Sequence, residues 1–494
     1  MLNAKALVRD LPGRADPLAL YVHLTGAGAD TMLFERPSAP TLILAAAAAR
    51  IECRGRNVTV SALGEEGVHV IDALAKTLPD RLLERGENEA CFAFPRVDSV
   101  DPGERLASSS PFDILRAIAA PGAEEGGQEP FARAALGVIA FDHVDLLEDL
   151  PANETDPLSF PDLLFWVPQS LIVVEADGRA RAVCTAFGDS RAAARRLDAL
   201  AQACASVPPL AEPVGAAEPV FESVDLSDEA YADVVRAMKE HIRAGDVYQI
   251  VPSRTFHARC AHPLAAFAAQ RRQDPSPYQF YVAAQDHILF GCSPETSVRV
   301  SGGAVEVKPI AGTRPRGAGV DEDDRLETEL RLDQKELAEH MMLVDLARND
   351  VARLSEPGSR RVAKLLSVER YARVMHLVSS VTGVLRRGYD AVHALQAGLN
   401  VGTLSGAPKL RATELLRESE RTKRGPYGGA VGWLNGAGDM DTGVVIRSAV
   451  VQDGVAYVRA GAGVVHDSDP DSEAEETKRK ASALLSVLAG QCGR

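Results

Sequence analysis

One run without proline or glycine, residues 333–353 (D-Q-K-E-L-A-E-H-M-M-L-V-D-L-A-R-N-D-V-A-R), constrains the fold more than any other stretch. It is long enough for about five helical turns. Asp333 with Glu336 three residues later reads as an N-terminal cap followed by an acid. On a 3.6-residue period, Glu336, Glu339, His340, Leu343 and Ala347 share a face. Leu337, Met341, Met342, Val344 and Leu346 cover most of the rest, a pattern that predicts a buried helix. Asp345, Arg348 and Asp350 must then be paired or bound to a metal, because a lone buried charge is costly. The expectation is a core helix that presents acids to an interior site. Glu336 suits a cap as well as a ligand, and Asp345, Arg348 and Asp350 suit a structural ion-pair network. Glu339 lies beyond the reach of capping and is the better ligand candidate.

At 494 residues the chain exceeds one ordinary core, so at least two domains or one large compound one are expected. A net charge of -15 argues against a nucleic-acid partner, since phosphate binding needs a basic face. No apolar run reaches membrane-spanning length, and the N-terminus lacks a signal-peptide pattern. The cysteines (Cys53, Cys91, Cys184, Cys204, Cys260, Cys292 and Cys492) form no C-x-x-C pair. Neither a zinc site nor a disulfide framework follows, and a reducing cytoplasm fits.

Along the chain, residues 17–75 mix strand-like runs with turns. Residues 56–63 alternate with period two, as a strand does. Residues 45–49 are featureless. Residues 171–174 and 180–187 flank a D-G turn, a hairpin signal. Residues 190–206 read as a helix. Four prolines in V-P-P-L-A-E-P-V-G-A-A-E-P-V make residues 208–220 a linker, dividing an N-terminal domain (1–207) from a second (221–494). The second opens on a helix capped by Ser227 and ended by Gly245. A turn-rich acidic loop is expected at 317–324, and strands at 444–451 and 455–460 around Q-D-G. The chain closes on a helix from Pro470. Antiparallel hairpins mixed with helices give an α+β fold, a large antiparallel-sheet core with flanking helices.

In the last helix, Glu473, Glu476 and Lys480 share a face. An exposed Glu476–Lys480 pair is one reading, worth roughly 0.2–0.5 kcal/mol. The other starts from G-A-G-V-V just upstream, whose glycines let backbone N–H groups approach an anion. Two carboxylate helices beside a glycine turn suit a magnesium ion bridging to an anionic substrate, since magnesium takes few protein carboxylates. G-T-R-P-R-G at 312–317 and G-T-L-S-G-A-P-K at 402–409 match neither a phosphate-binding nor a dinucleotide-binding loop. Arg447, inside V-V-I-R-S-A-V, is expected to meet a carboxylate. His376, in R-V-M-H-L-V, reads equally as a satisfied core histidine.

Taken in order, P-I-A-G-T-R-P-R-G, H-M-M-L-V-D-L-A-R-N-D-V-A-R, G-T-L-S-G-A-P-K, R-G-P-Y-G-G-A-V-G and G-A-G-V-V-H-D-S-D-P-D-S-E-A-E-E-T resemble the chorismate-utilising enzymes, most nearly the large synthase subunits of anthranilate synthases. The resemblance covers almost the whole chain. It implies that Glu339 and Glu476 hold magnesium, with Glu336 and Glu473 acting through water or from behind. It implies that Tyr427 and Arg447 bind the enolpyruvyl carboxylate of chorismate, that Gly461, Ala462 and Gly463 line the substrate, and that Gly312, Thr313 and Thr403 contact it. Lys480 is to neutralise a carboxylate. Glu295 is to be the general acid for departure of the ring hydroxyl, and His376 is to assist loss of pyruvate. Ammonia would add to give aminodeoxyisochorismate, and pyruvate elimination would then give anthranilate.

Family members that add water resemble one another in a lysine where this chain has Gln249, which cannot deprotonate water. Para-aminobenzoate-type relatives carry a lysine where this chain has Ala311. Both positions favour direct amination. The implied partner is a separate glutamine amidotransferase subunit that supplies ammonia, in a hetero-oligomer. The tryptophan-binding stretches of the family match Glu35, Arg36, Asp274, Pro277, Tyr278 and Gln279, where arginine, aspartate and glutamine stand at positions 36, 274 and 279 in place of serine, asparagine and methionine. An Arg36–Asp274 ion pair filling the pocket, with weak or absent inhibition by tryptophan, is expected.

Overall fold

The computed structural model describes residues 2–11, 16–97, 99, 101–119, 129–210, 217–218, 220–371 and 374–491. Cys492 and, within the linker, residues 211–216 and 219 lie outside this set.

Every ladder between strands that bears on the site is antiparallel, and the sheet passes back and forth between the two halves of the sequence. Strand Thr31–Glu35 pairs with Tyr278–Ala283, with Glu35 opposite Gln279. Strand Ala134–Ile139 pairs with Ala430–Asn435, with Ile139 opposite Ala430. Residues 208–220 therefore mark no break in the sheet. The featureless alanines belong to the 14-residue strand Thr41–Arg54, which pairs with Thr31–Glu35, Asn57–Ala62 and Leu163–Val174. Alanine's helical preference is overridden because this strand has partners on both sides, and its register shifts between Leu44 and Ala49.

Several local readings match the structure. Asn57–Ala62 is a strand, Leu163–Val174 and Ala180–Ala186 form the hairpin, and Ser190–Cys204 is a helix. Ser227 caps the helix Asp228–Ala244 by accepting from Ala230 N–H, and Gly245 ends it in the left-handed conformation at φ 85°.

Three readings are corrected. The acidic loop at 317–324 runs into a helix, Val320–Leu332, whose first turn carries Asp321, Glu322 and Asp323, where negative charge is favourable. The expected strand 444–451 breaks into Met440–Val444 and Ser448–Gln452. Arg447 sits at the break with φ 51°. Finally, the helix Gln334–Ala352 is not buried all round. His340, Leu343, Val344, Ala347 and Val351 pack inward, whereas Met341 is 44% exposed. Burying Leu343 and Val344 stabilises the docking by about 1.5–3 kcal/mol each. Asp345 and Arg348 form a surface pair at 2.8 Å, and Asp350 pairs with Lys409 at 2.9 Å. No helix among the described residues is long and apolar enough to cross a membrane.

Candidate active site

The two carboxylate helices, Gln334–Ala352 and Pro470–Gln491, flank a cavity of about 810 Å³. Asp333 caps the first, accepting from Lys335 and Glu336 N–H at 3.0 and 3.2 Å. Spacings of three and four then bring Glu336 and Glu339 from one helix, and Glu473, Glu476 and Lys480 from the other, to the cavity wall. Lys480 donates to Glu476 at 2.7 Å and to the Gly461 carbonyl at 2.9 Å. The pair anticipated as a surface feature is therefore also part of the site.

Charge is crowded at this end. Burial pushes the Glu339 carboxyl up to about 7; Lys335, 3.8 Å away, opposes the shift, while Glu336, Glu473 and Glu476 reinforce it. Burial also raises Glu473, with Ser468 opposing. For Glu476 burial is outweighed by Lys480, and its pKa falls below the usual range. Among the described residues no group of three or more histidines, cysteines or acids is placed so as to hold a metal ion by itself. A wall of mutually repelling carboxylates fits a hard cation such as magnesium, which takes one or two of them and completes its shell with water and substrate oxygens.

Glu295 follows the strand Ile288–Ser293 and is only 6% exposed. Burial pushes its pKa up to about 7, against the opposing hydrogen bond from Thr403 at 2.6 Å and the charge of Lys480. It therefore keeps its proton close to neutral pH. His376 lies on the strand Val374–Val384. Its Nδ1–H donates to the Gly312 carbonyl at 3.1 Å, with Thr313 Oγ1 3.0 Å from the same nitrogen. This assignment, made from the hydrogen-bond network, leaves Nε2 as the basic nitrogen. Burial lowers the His376 pKa, so the ring is neutral. Gly312 supplies its carbonyl from a backbone at φ 73°, a conformation glycine adopts freely.

Arg447 and Tyr427 also line the cavity. The left-handed backbone at Arg447 interrupts the strand pattern. Among the described residues no carboxylate forms an ion pair with it. Gly461 is required by close approach: a Cβ there would lie 2.7 Å from the Pro252 carbonyl and 3.1 Å from the Tyr427 hydroxyl. At Gly463 a Cβ would meet Gln249 Nε2 at 2.7 Å. Gln249 is 7% exposed and lines the cavity, and its Oε1 has no hydrogen-bond partner.

The cavity wall thus includes Gln249, Glu295, Gly312, Thr313, Glu336, Glu339, His376, Thr403, Tyr427, Arg447, Gly461, Gly463, Glu473, Glu476 and Lys480. Ala462 is the exception. It is fully buried, and its N–H is held by the Pro252 carbonyl and the Tyr231 hydroxyl, both at 3.2 Å. Sequence reasoning missed Lys335, Arg459 and Arg479 in the wall. Arg459, in a strand with apolar neighbours just before the glycine turn, carried the same signal as Arg447.

Glu35 does sit opposite Gln279 in a ladder, and Arg36 reaches the Tyr278 ring. The expected Arg36–Asp274 pair is absent. Arg36 instead pairs with the buried Asp441 and lies over the Tyr278 ring at 4.5 Å. Tyr278 donates to Asp441 at 2.9 Å, and Arg271 takes Glu35 through two bonds at 2.7 and 2.8 Å. Asp441, with its side chain 3% exposed, needs a cation to offset its burial, and Arg36 supplies it. Asp274 turns locally toward Ser276.

A family model described as chorismate binding enzyme matches residues 86–486. Anthranilate synthase component 1 of Vibrio cholerae is 42% identical over 98% of this chain and 96% of that protein. The pyocyanine-specific anthranilate synthase component 1 of Pseudomonas aeruginosa is 43% identical over 94% and 91%. Among solved structures, anthranilate synthase component I from Streptococcus pneumoniae superposes with a TM-score of 0.75 at 29% identity, covering 91% of this chain and 93% of that one.

Proposed function

The chain belongs to the chorismate-binding enzyme family, and on that premise we propose that it is the synthase component of an anthranilate synthase. It converts chorismate and ammonia to aminodeoxyisochorismate and water, then to anthranilate and pyruvate, as a lyase in tryptophan biosynthesis. The observation that carries this reading is the cavity-facing Arg447, which forms no ion pair with a carboxylate among the described residues, in a wall that also carries Glu336, Glu339, Glu473 and Glu476. Arg447 asks for an anion and the glutamates for a cation, which a carboxylate substrate together with a metal ion would provide.

Glu339 and Glu476 would hold magnesium, with Glu336 and Glu473 behind. Held there, the metal would supply Lewis acidity that stabilises developing negative charge on the substrate. Arg447 and Tyr427 orient the enolpyruvyl carboxylate. Glu295, protonated near neutral pH, gives its proton to the departing ring hydroxyl, which leaves as water. Ammonia forms the new C–N bond. His376 Nε2 then takes a ring proton as pyruvate departs. The Gln249 amide cannot act as base toward water, which favours the amine nucleophile.

Ammonia comes from a separate glutamine amidotransferase subunit. The described cysteines Cys53, Cys91, Cys184, Cys204, Cys260 and Cys292 are free thiols, which suits the cytoplasm. Incubation with chorismate, magnesium and ammonium tests the proposal. Anthranilate fluorescence is expected; consumption of chorismate to isochorismate or salicylate, or no consumption, overturns it.

A further inference from the structure

Glu420 ends the helix Lys409–Glu420, with its side chain 5% exposed. Oε1 accepts from Ser253 N–H and Oγ–H, both at 2.8 Å, and from Arg424 at 2.6 Å. Oε2 accepts from Arg424 Nε at 2.9 Å and from Arg459 at 2.7 Å. Burial alone would raise its pKa, but Arg424 and Arg459 outweigh that and keep it ionised.

Each arginine carries the constraint onward. Arg424 donates to the Leu404 carbonyl at 2.6 Å and to the Val251 carbonyl at 2.8 Å, and its guanidinium lies 5.9 Å from the centre of the Tyr427 ring. Leu404 follows Thr403, the donor to Glu295. Arg459 donates to Ser253 Oγ at 2.8 Å and to the Lys423 carbonyl at 3.1 Å. Ser253 in turn sits opposite Gly461 in the ladder. One carboxylate thus ties together separate segments of the cavity wall while lying outside that wall. Glu420 instead borders a second cavity of about 390 Å³, which shares Tyr427 and Arg459 with the first. The partition between the cavities holds two guanidinium groups against one carboxylate, an excess positive charge that suits an anionic substrate.

We propose that Glu420 is a positioning residue for the anionic substrate: it fixes Arg459 and Tyr427 in the cavity wall and, through Arg424, the Thr403–Leu404 turn that holds Glu295. The identity of that anion rests on the chorismate reading. In Glu420→Gln the side chain keeps its size but leaves two arginines without a counter-ion. Ser253→Ala removes one hydroxyl bonded to both Glu420 and Arg459 and leaves every charge in place.

Steady-state kinetics and amide hydrogen exchange on the full chain test this. Glu420→Gln is expected to raise the KM for chorismate roughly tenfold or more with a smaller change in kcat and an unchanged KM for ammonium. Ser253→Ala is expected to give a smaller rise of the same kind. Exchange should quicken at residues 401–405 and 459–461 and stay at wild-type rates in the strand Thr41–Arg54. A purely structural role would instead lower the melting temperature and kcat and leave KM alone. Unchanged KM and unchanged local exchange in the folded variants overturn the proposal; if Glu420→Gln does not fold, Ser253→Ala decides. Wild-type turnover reports on the chorismate reading, whereas the exchange pattern requires no turnover.

Discussion

Thr403 Oγ1 donates a 2.6 Å hydrogen bond to Glu295 Oε1, a neutral bond that opposes the effect of burial on that carboxyl. A hydroxyl donor stabilises the charged form, so this contact tunes how far the proton affinity of Glu295 rises.

Activity should therefore fall as pH rises through about 7, the value at which Glu295 loses its proton. Thr403→Val removes the opposing bond, so the alkaline limb of kcat/KM should move to higher pH. Glu295→Gln should lose amination by roughly a hundredfold or more, in line with loss of a general acid. Measured pH–rate profiles check all three, and an alkaline limb unmoved in Thr403→Val would contradict the assignment.

The carboxylate wall makes a prediction about metal. Glu339→Gln and Glu476→Gln should each lower activity by roughly tenfold or more at limiting magnesium, because an amide offers the cation less charge. Since Glu339 is held in a repulsive cluster, its neutralisation should leave the melting temperature of the metal-free protein unchanged or higher. Magnesium titrations with thermal melts decide this. Near-wild-type turnover at low magnesium in either variant would show that the ligands lie elsewhere.

His376 should serve elimination more than amination, since its ring is neutral and Nε2 is its basic nitrogen. His376→Met keeps the volume and removes the base. Chorismate and ammonium should then accumulate aminodeoxyisochorismate, visible by chromatography. Equal loss of both steps would argue for a packing role.

Arg36 and Asp441 form a buried pair, with side chains 10% and 3% exposed. Arg36→Ser leaves Asp441 uncompensated and should cost about 3–5 kcal/mol of stability, as breaking a buried pair does. Arg36 packs over Tyr278 and so takes up space among the residues expected to form a tryptophan pocket. We expect weak or absent inhibition of ammonia-dependent activity by tryptophan. Inhibition in a titration at low micromolar concentrations would show the pocket to be intact.

By itself the sequence determined the elements whose signals are local. The Asp333 cap, the carboxylate spacing of the two helices, the Ser227–Gly245 helix and the D-G hairpin depend on residues within one or two turns of each other, and all were legible there. The candidate residues were also legible, through motifs whose order survives without any knowledge of contacts. Tertiary structure decided whatever depends on a partner distant in the chain. The alanine run became a strand because strands bind both its edges. Arg447 left its strand by a backbone turn that its apolar neighbours did not announce. Ala462 stays out of the cavity wall, its N–H held by Pro252 and Tyr231, which lie more than two hundred positions away in the chain. Arg36 chose Asp441 over Asp274, and Glu420 gathered Ser253, Arg424 and Arg459. Such ion pairs follow burial and distance across the sheet, and neither quantity is written in a linear pattern of charges.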